Sequence, residues 1–230
     1  MKLAVVIPAY NEAKTIGDVI KRVPRQINGF SQVQVFVVSD NSSDQTAVRA
    51  KEAGAKVLVH KLNLGAGGAT QTGLYAAKRL GFDVVASLDG DGQHDPEDLR
   101  RLALAFQQGK GDLIIGSRFL SLTIDQMPLI KNFGNRLMNL ITRFFSRTKV
   151  TDSQSGFRLF GPKVLARVSQ LITTPGYEFC SETIINCRRL GLTIAEVPIS
   201  TIYFADRRTG TDALHGFNIL LRLTYKSLTR

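Results

Sequence analysis

The densest chemistry in the chain lies in Asp89-Gly90-Asp91-Gly92-Gln93-His94-Asp95. In an extended chain residues i, i+2 and i+4 face one way, so Asp89, Asp91 and Gln93 are expected to converge with glycines between them. Hard oxygen donors of this kind suit Mg²⁺ or Mn²⁺ and leave positions for phosphate oxygens. An EF-hand would need Gly at the sixth position and Glu at the twelfth, where His94 and Arg100 stand. A solvated acidic turn without metal is the plain alternative, and Asp95, Glu97 and Asp98 read as helix-start residues. A second segment, Leu64-Gly65-Ala66-Gly67-Gly68-Ala69-Thr70, lacks the last glycine of a dinucleotide fingerprint. It reads as a turn into a helix that lets backbone approach a ligand or another strand. No Walker A, HExxH, CxxC or Gly-x-Ser-x-Gly motif occurs. With only His60, His94 and His215, neither a histidine metal centre nor a Ser-His triad is expected.

Strands and helices alternate through the first half and would position these segments. Leu3–Ile7, Val33–Val38, Lys56–Val59, Asp83–Leu88 and Leu113–Ile115 read as strands. Ala13–Arg22, a helix capped by Asp44 and closed by Gly54, Ala66–Leu80 closed by Gly81, and a helix opened by Pro96 lie between them. Strands apolar on both faces and separated by helices imply an α/β fold with a mostly parallel sheet covered on both sides. The acidic loop then lies at a strand's carboxyl end, where open α/β sheets bind ligands. The second half is less regular. Leu129–Phe145 is an amphipathic helix, Gly156–Phe160 a strand, Glu178–Arg189 a helix, Leu192–Val197 a strand, and Ala213–Leu228 a C-terminal amphipathic helix. No linker interrupts 1–230, which reads as one domain.

The chain has 230 residues and a net charge of +11. Residues 1–115 carry 14 Lys and Arg against 12 Asp and Glu; residues 116–230 carry 16 against 7. The basic half should meet something anionic: nucleic acid, a membrane surface or a phosphorylated substrate. Cys180 and Cys187 lie seven apart in a helical stretch, too far to bridge, so a reducing compartment is expected. No run of 18 apolar residues and no signal-peptide pattern is present, so any membrane contact is expected to be peripheral unless the chain has been trimmed.

Taken together the motifs resemble family-2 glycosyltransferases of the GT-A (Rossmann-like) fold. Val6-Ile-Pro8-Ala-Tyr10-Asn-Glu12, Val38-Ser39-Asp40-Asn-Ser-Ser-Asp44, Asn63-Leu-Gly-Ala-Gly-Gly68 and Asp89-Gly-Asp91 follow that family's loop order. Ser117-Arg118-Phe119, Thr151-Asp152-Ser-Gln-Ser155-Gly-Phe157-Arg158, Val197-Pro-Ile199 and Arg207-Arg-Thr-Gly210 are similar to the dolichyl-phosphate mannose synthase and polyprenyl-phosphate glycosyltransferase group. The chain departs from the pattern at Ser39, where an acid is usual, and at Asp212 and Ala213, where Ser and Lys are usual; the family's phosphate contact is then either lost or supplied by Arg208. Processive synthases carry a Trp motif, and this chain has no Trp.

The resemblance implies inverting transfer of a hexose, from a donor of the GDP-mannose or UDP-glucose type, to polyprenyl phosphate. It assigns Pro8, Tyr10, Glu12, Asp40 and Asp89 to the nucleotide, and Asp89, Asp91 and Gln93 to Mg²⁺ or Mn²⁺. Arg118, Arg136 and Arg207 go to phosphate groups, and Asp91, Asp152 and Arg118 to catalysis, with Asp152 orienting or hydrogen-bonding the sugar; a turn carboxylate capping Ser153–Gly156 is the plain alternative for Asp152. Residues 1–120 become the nucleotide-sugar half and 121–230 the acceptor and membrane-facing half. Peripheral attachment at the cytoplasmic face of a membrane, directly or through a membrane-anchoring subunit, follows. Leu129–Phe145, with Lys131, Arg136 and Arg143 supplying charge and Leu129, Phe133, Leu137, Leu140, Ile141, Phe144 and Phe145 an apolar face, reads either as an interfacial helix or as a packed one. A nucleotidyltransferase would carry an N-terminal Gly-rich loop with Arg and Lys, where Pro8–Glu12 stands. A nucleic-acid-binding protein would account for the basic half, but no such motif is present, so nucleic acid is not an expected partner.

Overall fold

The side chains of the first strand set the layering. Leu3, Val5 and Ile7 pack with Ile16, Ile20, Leu99 and Leu102 on one face, and Ala4 and Val6 with Leu74, Ala77 and Ile184 on the other. A strand buried on both faces belongs at the centre of a covered sheet. The computed structural model describes residues 1–120 and 129–202, with backbone alone for 129–135. The strands are β1 (Lys2–Ala9), β2 (Gln32–Ser39), β3 (Lys56–Val59), β4 (Val84–Ser87), β5 (Leu113–Ser117), β6 (Arg158–Phe160) and β7 (Ile194–Pro198). The helices are α1 (Ile16–Arg22), α2 (Thr46–Glu52), α3 (Gly65–Arg79), α4 (Leu99–Gln107), α5 (Leu129–Ser146), α6 (Pro162–Leu165), α7 (Val168–Leu171) and α8 (Phe179–Arg189).

The strands form one seven-stranded sheet in the order β3-β2-β1-β4-β6-β5-β7. All pairings are parallel except those of β6, which runs antiparallel between β4 and β5. The α/β, mostly parallel architecture is as expected. The strand expected at Gly156–Phe160 shortens to three residues, and its antiparallel insertion places the Thr151–Phe157 loop beside the end of β4. Pro8 sits in the central strand without breaking the ladder. Asp40 donates its N–H to Ala9 O on the β2 side and Leu88 to Val6 O on the β4 side, so alternation turns Pro8 toward β4. The missing N–H therefore falls where the β1–β4 pairing ends, beyond Val6 and Ser87.

Gly54 and Gly81 follow α2 and α3 with φ of 87° and 75°, the left-handed position expected of a closing glycine. Asp44 is not the cap itself: α2 begins at Thr46, and Gln45 occupies the cap position. The Asp44 carboxylate still accepts from Thr46 N–H (2.9 Å) and from Ala13 N–H (3.1 Å), tying two loops together.

The apolar residues of α5 divide between two faces. Met138, Ile141 and Phe145 pack with Ile185 of α8, whereas Leu137, Leu140 and Phe144 are 46%, 64% and 77% exposed. Among the described residues no helix is long and apolar enough to cross a membrane. Cys180 and Cys187 are free and buried. The expected C-terminal helix at 213–228 lies outside the described residues.

Candidate active site

The sheet builds outward from β1 in both directions, so β1 and β4 flank its topological switch point. A cleft of about 300 Å³ opens there at the carboxyl ends of the strands. Pro8, Ala9, Tyr10, Glu12, Asp40, Asn63, Gly65, Ala66, Asp89, Asp91 and Tyr177 line it.

Two loops form its first wall. Asn11 and Asn41 take left-handed φ of 56° and 58°, a conformation Asn tolerates better than most residues. Asn11 Oδ1 accepts from Ser43 N–H (2.9 Å), and Asn11 N–H donates to Ser42 Oγ (3.1 Å). The Pro8–Glu12 and Ser39–Asp44 loops are thereby pinned together, with Tyr10 left 54% exposed over the cleft. Asp40 is buried and largely satisfied by protein. Oδ1 accepts from Leu64 N–H (2.9 Å) and meets His60 Nδ1 (2.7 Å), and Oδ2 accepts from Gly65 N–H (2.7 Å). Of about four lone-pair sites on a carboxylate, three are taken, so Asp40 mainly fixes the glycine turn.

That turn serves close approach, as its composition suggested, and what approaches is another loop. The N–H groups of Gly67 and Gly68 both donate to Pro175 O (2.7 and 3.2 Å). A Cβ on Gly67 would lie 2.3 Å from Thr174 O, and one on Gly65 2.6 Å from Pro175 O. The amides are therefore not a phosphate cradle. They seat the 173–178 loop, which Glu182 holds from behind through Thr173 and Thr174, and which carries Tyr177 into the cleft. Burial, then Asp89 and Asp91, push the Tyr177 hydroxyl up to about 12, so it stays a proton donor.

The acidic loop is a turn and not the extended chain that alternation assumed. Gly92 has φ 79°, and Asp91 Oδ1 accepts from Gln93 N–H (2.9 Å). Asp89 and Asp91 still face the cleft together, but Gln93 does not line it; its carbonyl accepts from Ile202 N–H (2.8 Å). The expected convergence of three ligands thus corrects to two carboxylates. Asp89 is held from two sides. His94 Nε2 lies 3.4 Å from Oδ2, and a Cβ on Gly156 would meet both carboxylate oxygens at 2.4 Å. Burial alone would raise the Asp89 carboxyl. The contact with His94 and the charges of His94, Arg118 and Arg158 outweigh it and hold the group below its ordinary value. Among the described residues no cluster of three His, Cys, Asp or Glu could hold a metal. The donor set is two hard-oxygen carboxylates facing open cleft, which fits Mg²⁺ or Mn²⁺ only when further oxygens complete the shell.

Arg118, in the turn after β5, makes a fork with the fully buried Asp152. Nε donates to Oδ2 (2.7 Å), Nη2 to Oδ1 (2.8 Å), and the backbone N–H to Oδ2 (3.1 Å). Burial would raise the Asp152 carboxyl, but the guanidinium charge and its hydrogen bonds bring it below the ordinary value. Behind Asp152 lies Glu196 of β7. Oε1 accepts from Asp152 N–H (2.9 Å), and Oε2 from Thr151 N–H (2.8 Å) and Thr151 Oγ1 (3.0 Å). Burial pushes the Glu196 carboxyl above its ordinary value despite these bonds.

Of the residues singled out by sequence, Pro8, Tyr10, Glu12, Asp40, Asp89 and Asp91 meet in one cleft, whereas Arg118 and Asp152 pair with each other and do not line it. Arg136 is exposed on α5 and does not line the cleft. Arg207 and Arg208 lie outside the described residues, and the side chain of Lys131 is not described. Tyr177, His94 and Glu196 are additions. Glu196 left a signal in the sequence as a lone charge inside the apolar run Ile194–Val197, and His94 as a member of the acidic loop; Tyr177 left none.

Residues 4–168 match the profile of Glycosyl transferase family 2. The chain belongs to that family. This family member is 35% identical, over 95% of its length and 93% of the relative's, to the UDP-N-acetylglucosamine–dolichyl-phosphate N-acetylglucosaminyltransferase of Methanococcus voltae. It is 30% identical to the polyprenol monophosphomannose synthase of Mycolicibacterium smegmatis, over 94% and 82% of the two chains. The glucosyl-3-phosphoglycerate synthase of Mycobacterium tuberculosis, crystallised with Mn²⁺, UDP-glucose and phosphoglyceric acid, superposes with a TM-score of 0.75 at 21% identity, over 98% of this chain and 79% of that one. The transferase therefore has a GT-A-like fold.

Proposed function

We propose that this glycosyltransferase moves a single sugar from a nucleotide-sugar to a polyprenyl phosphate, with inversion, giving a lipid-linked monosaccharide. The observation that carries the reading is the meeting of Asp89, Asp91 and Glu12 in one switch-point cleft, in a chain whose relatives include dolichyl- and polyprenyl-phosphate transferases. The donor is of the GDP-mannose or UDP-glucose type. Tyr10 packs on the base, and Glu12 accepts hydrogen bonds from base or ribose. Asp89 and Asp91 would hold Mg²⁺ or Mn²⁺, which when bound stabilises charge on the departing diphosphate. Tyr177 donates its hydroxyl proton to donor oxygens from the opposite wall.

The acceptor needs no strong base. A phosphate monoester has a second pKa near 6, so at neutral pH it is largely dianionic. One of its oxygens attacks the anomeric carbon, and the bond from that carbon to the diphosphate oxygen breaks, its electron pair leaving with the nucleoside diphosphate. Positioning and cationic guidance then dominate catalysis. Arg118 supplies both, its guanidinium aimed by Asp152, whose carboxylate is already committed to that arginine and is no proton acceptor. In the test, nucleoside diphosphate release from GDP-mannose and UDP-glucose is followed with Mn²⁺, with and without undecaprenyl phosphate. Release is expected to depend on the lipid phosphate; equal release without it would make the protein a hydrolase of nucleotide-sugars.

The lipid is reached from the membrane surface. The ridge Leu137, Leu140 and Phe144 is exposed beside Arg136 and Arg143, an arrangement suited to the headgroup layer. Each large apolar side chain transferred from water contributes about 1.5–3 kcal/mol when fully buried. Leu140→Ser with Phe144→Ser is therefore expected to weaken binding to phosphatidylglycerol vesicles by about tenfold or more, with little change in melting temperature. Unchanged vesicle binding would remove α5 from the membrane contact.

A further inference from the structure

We propose that Glu196 is a positioning residue for Arg118, acting through Thr151 and Asp152. Its catalytic consequence rests on Arg118 being a phosphate clamp, but the positioning itself does not. The chain of contacts is continuous. Both carboxylate oxygens of Glu196 accept from the backbone N–H groups of Thr151 and Asp152, at 2.8 and 2.9 Å, and the Thr151 hydroxyl adds a third bond at 3.0 Å. The Thr151 hydroxyl also lies 2.7 Å from Ser117 Oγ, at the end of β5 and next to Arg118. Asp152, its backbone fixed in this way, presents both oxygens to Nε and Nη2 of Arg118.

The chemistry selects a carboxylate at position 196. Two N–H donors and a hydroxyl converge on it, and only an acceptor without protons satisfies all of them. An amide would turn an N–H₂ toward one of those donors. β7 pairs with β5 in parallel, with Glu196 opposite Ile115, so the carboxylate is mounted on a neighbour of the strand that leads into Arg118. Two like-charged carboxylates one residue-layer apart are tolerated because Arg118 neutralises the inner one. A bidentate fork is sensitive to small rotations of its acceptor, so a loosened Thr151–Asp152 backbone misaims the guanidinium.

The test reads Arg118 directly. The side-chain Nε–H resonance of Arg118 is assigned by its loss in Arg118→Lys, and its exchange with water is measured in wild type and in Glu196→Gln. Exchange at least tenfold faster in Glu196→Gln, with melting temperature and backbone amide spectrum otherwise retained, is expected. Unchanged protection would overturn the proposal. If Glu196→Gln does not fold, Glu196→Asp, which keeps the charge but shortens the reach, replaces it; if both unfold globally, Glu196 is a structural residue and the proposal falls. A second arm measures lipid-dependent turnover in Glu196→Gln, Arg118→Lys and the double variant. With Arg118 already replaced, Glu196→Gln is expected to add less than a twofold loss. Multiplying losses would also overturn the proposal. If Arg118→Lys leaves turnover intact while the exchange result holds, the phosphate assignment fails and the positioning role stands.

Discussion

Asp91→Ala is expected to lower sugar transfer by about 10²–10³-fold, the scale on which a single electrostatic stabiliser of a developing negative charge acts. Asp91 is one of only two carboxylates the acidic loop turns into the cleft, and Asp89 alone offers a divalent cation too few anionic ligands. The fold should survive. One bond lost within the protein is that from Gln93 N–H to Asp91 Oδ1, worth about 1 kcal/mol. Turnover and Mn²⁺ affinity, the latter by electron paramagnetic resonance, should therefore collapse together while the melting temperature moves by a few degrees. Undiminished turnover, or Mn²⁺ affinity equal to wild type, would remove Asp91 from the metal site.

Asp152→Ala should be the most destabilising change at the site. It strips a fully buried carboxylate from Arg118, whose side chain is only 17% exposed, and leaves the guanidinium without its fork. Breaking a buried pair from one side costs about 3–5 kcal/mol, here toward the lower end because Arg118 keeps some access to water. At about 2–4 °C per kcal/mol for a chain of this size, the melting temperature should fall by about 6–12 °C. The pH dependence has a definite sign. The folded-state pKa of Asp152 lies below the ordinary 3.8, so its stabilisation is present above that value and is lost as pH falls through the lower folded value. The gap between wild type and variant should stay flat from pH 8 to pH 5 and close only in stronger acid. Closure near pH 6 would mean that the carboxylate is not held by Arg118.

The first half of the fold was legible because β1, β2 and β4 are apolar on both faces and helices separate them, a local pattern with one simple solution. β6 was only partly legible, since its three residues owe their antiparallel place to partners more than forty positions away. The helices α6 and α7, four residues each, were not read at all. Asp89 and Asp91 face the cleft together, as their spacing suggested, whereas Gln93 does not line it, because alternation holds for extended chain and Gly92 turns the loop. Asp40 was located but its local work was hidden, since His60, Leu64 and Gly65 reach it only in three dimensions. Tyr177 had no sequence signal: it enters the cleft because Pro175 O captures two amides of a turn about a hundred residues earlier. The stripe on α5 admitted a packed and an interfacial reading, and the helix supports both, with Met138 and Ile141 inward and Leu140 and Phe144 outward.

The central claim is transfer to a lipid phosphate, and the most direct measurement is a competition of acceptors. The protein would be incubated with Mn²⁺, a panel of GDP- and UDP-sugars, and equimolar undecaprenyl phosphate and 3-phosphoglycerate, with products resolved by mass and anomeric configuration. The expected product is undecaprenyl phosphate bearing one sugar of inverted configuration, formed from one nucleotide series. Sugar appearing on phosphoglycerate alone, or a retained configuration, would contradict the account.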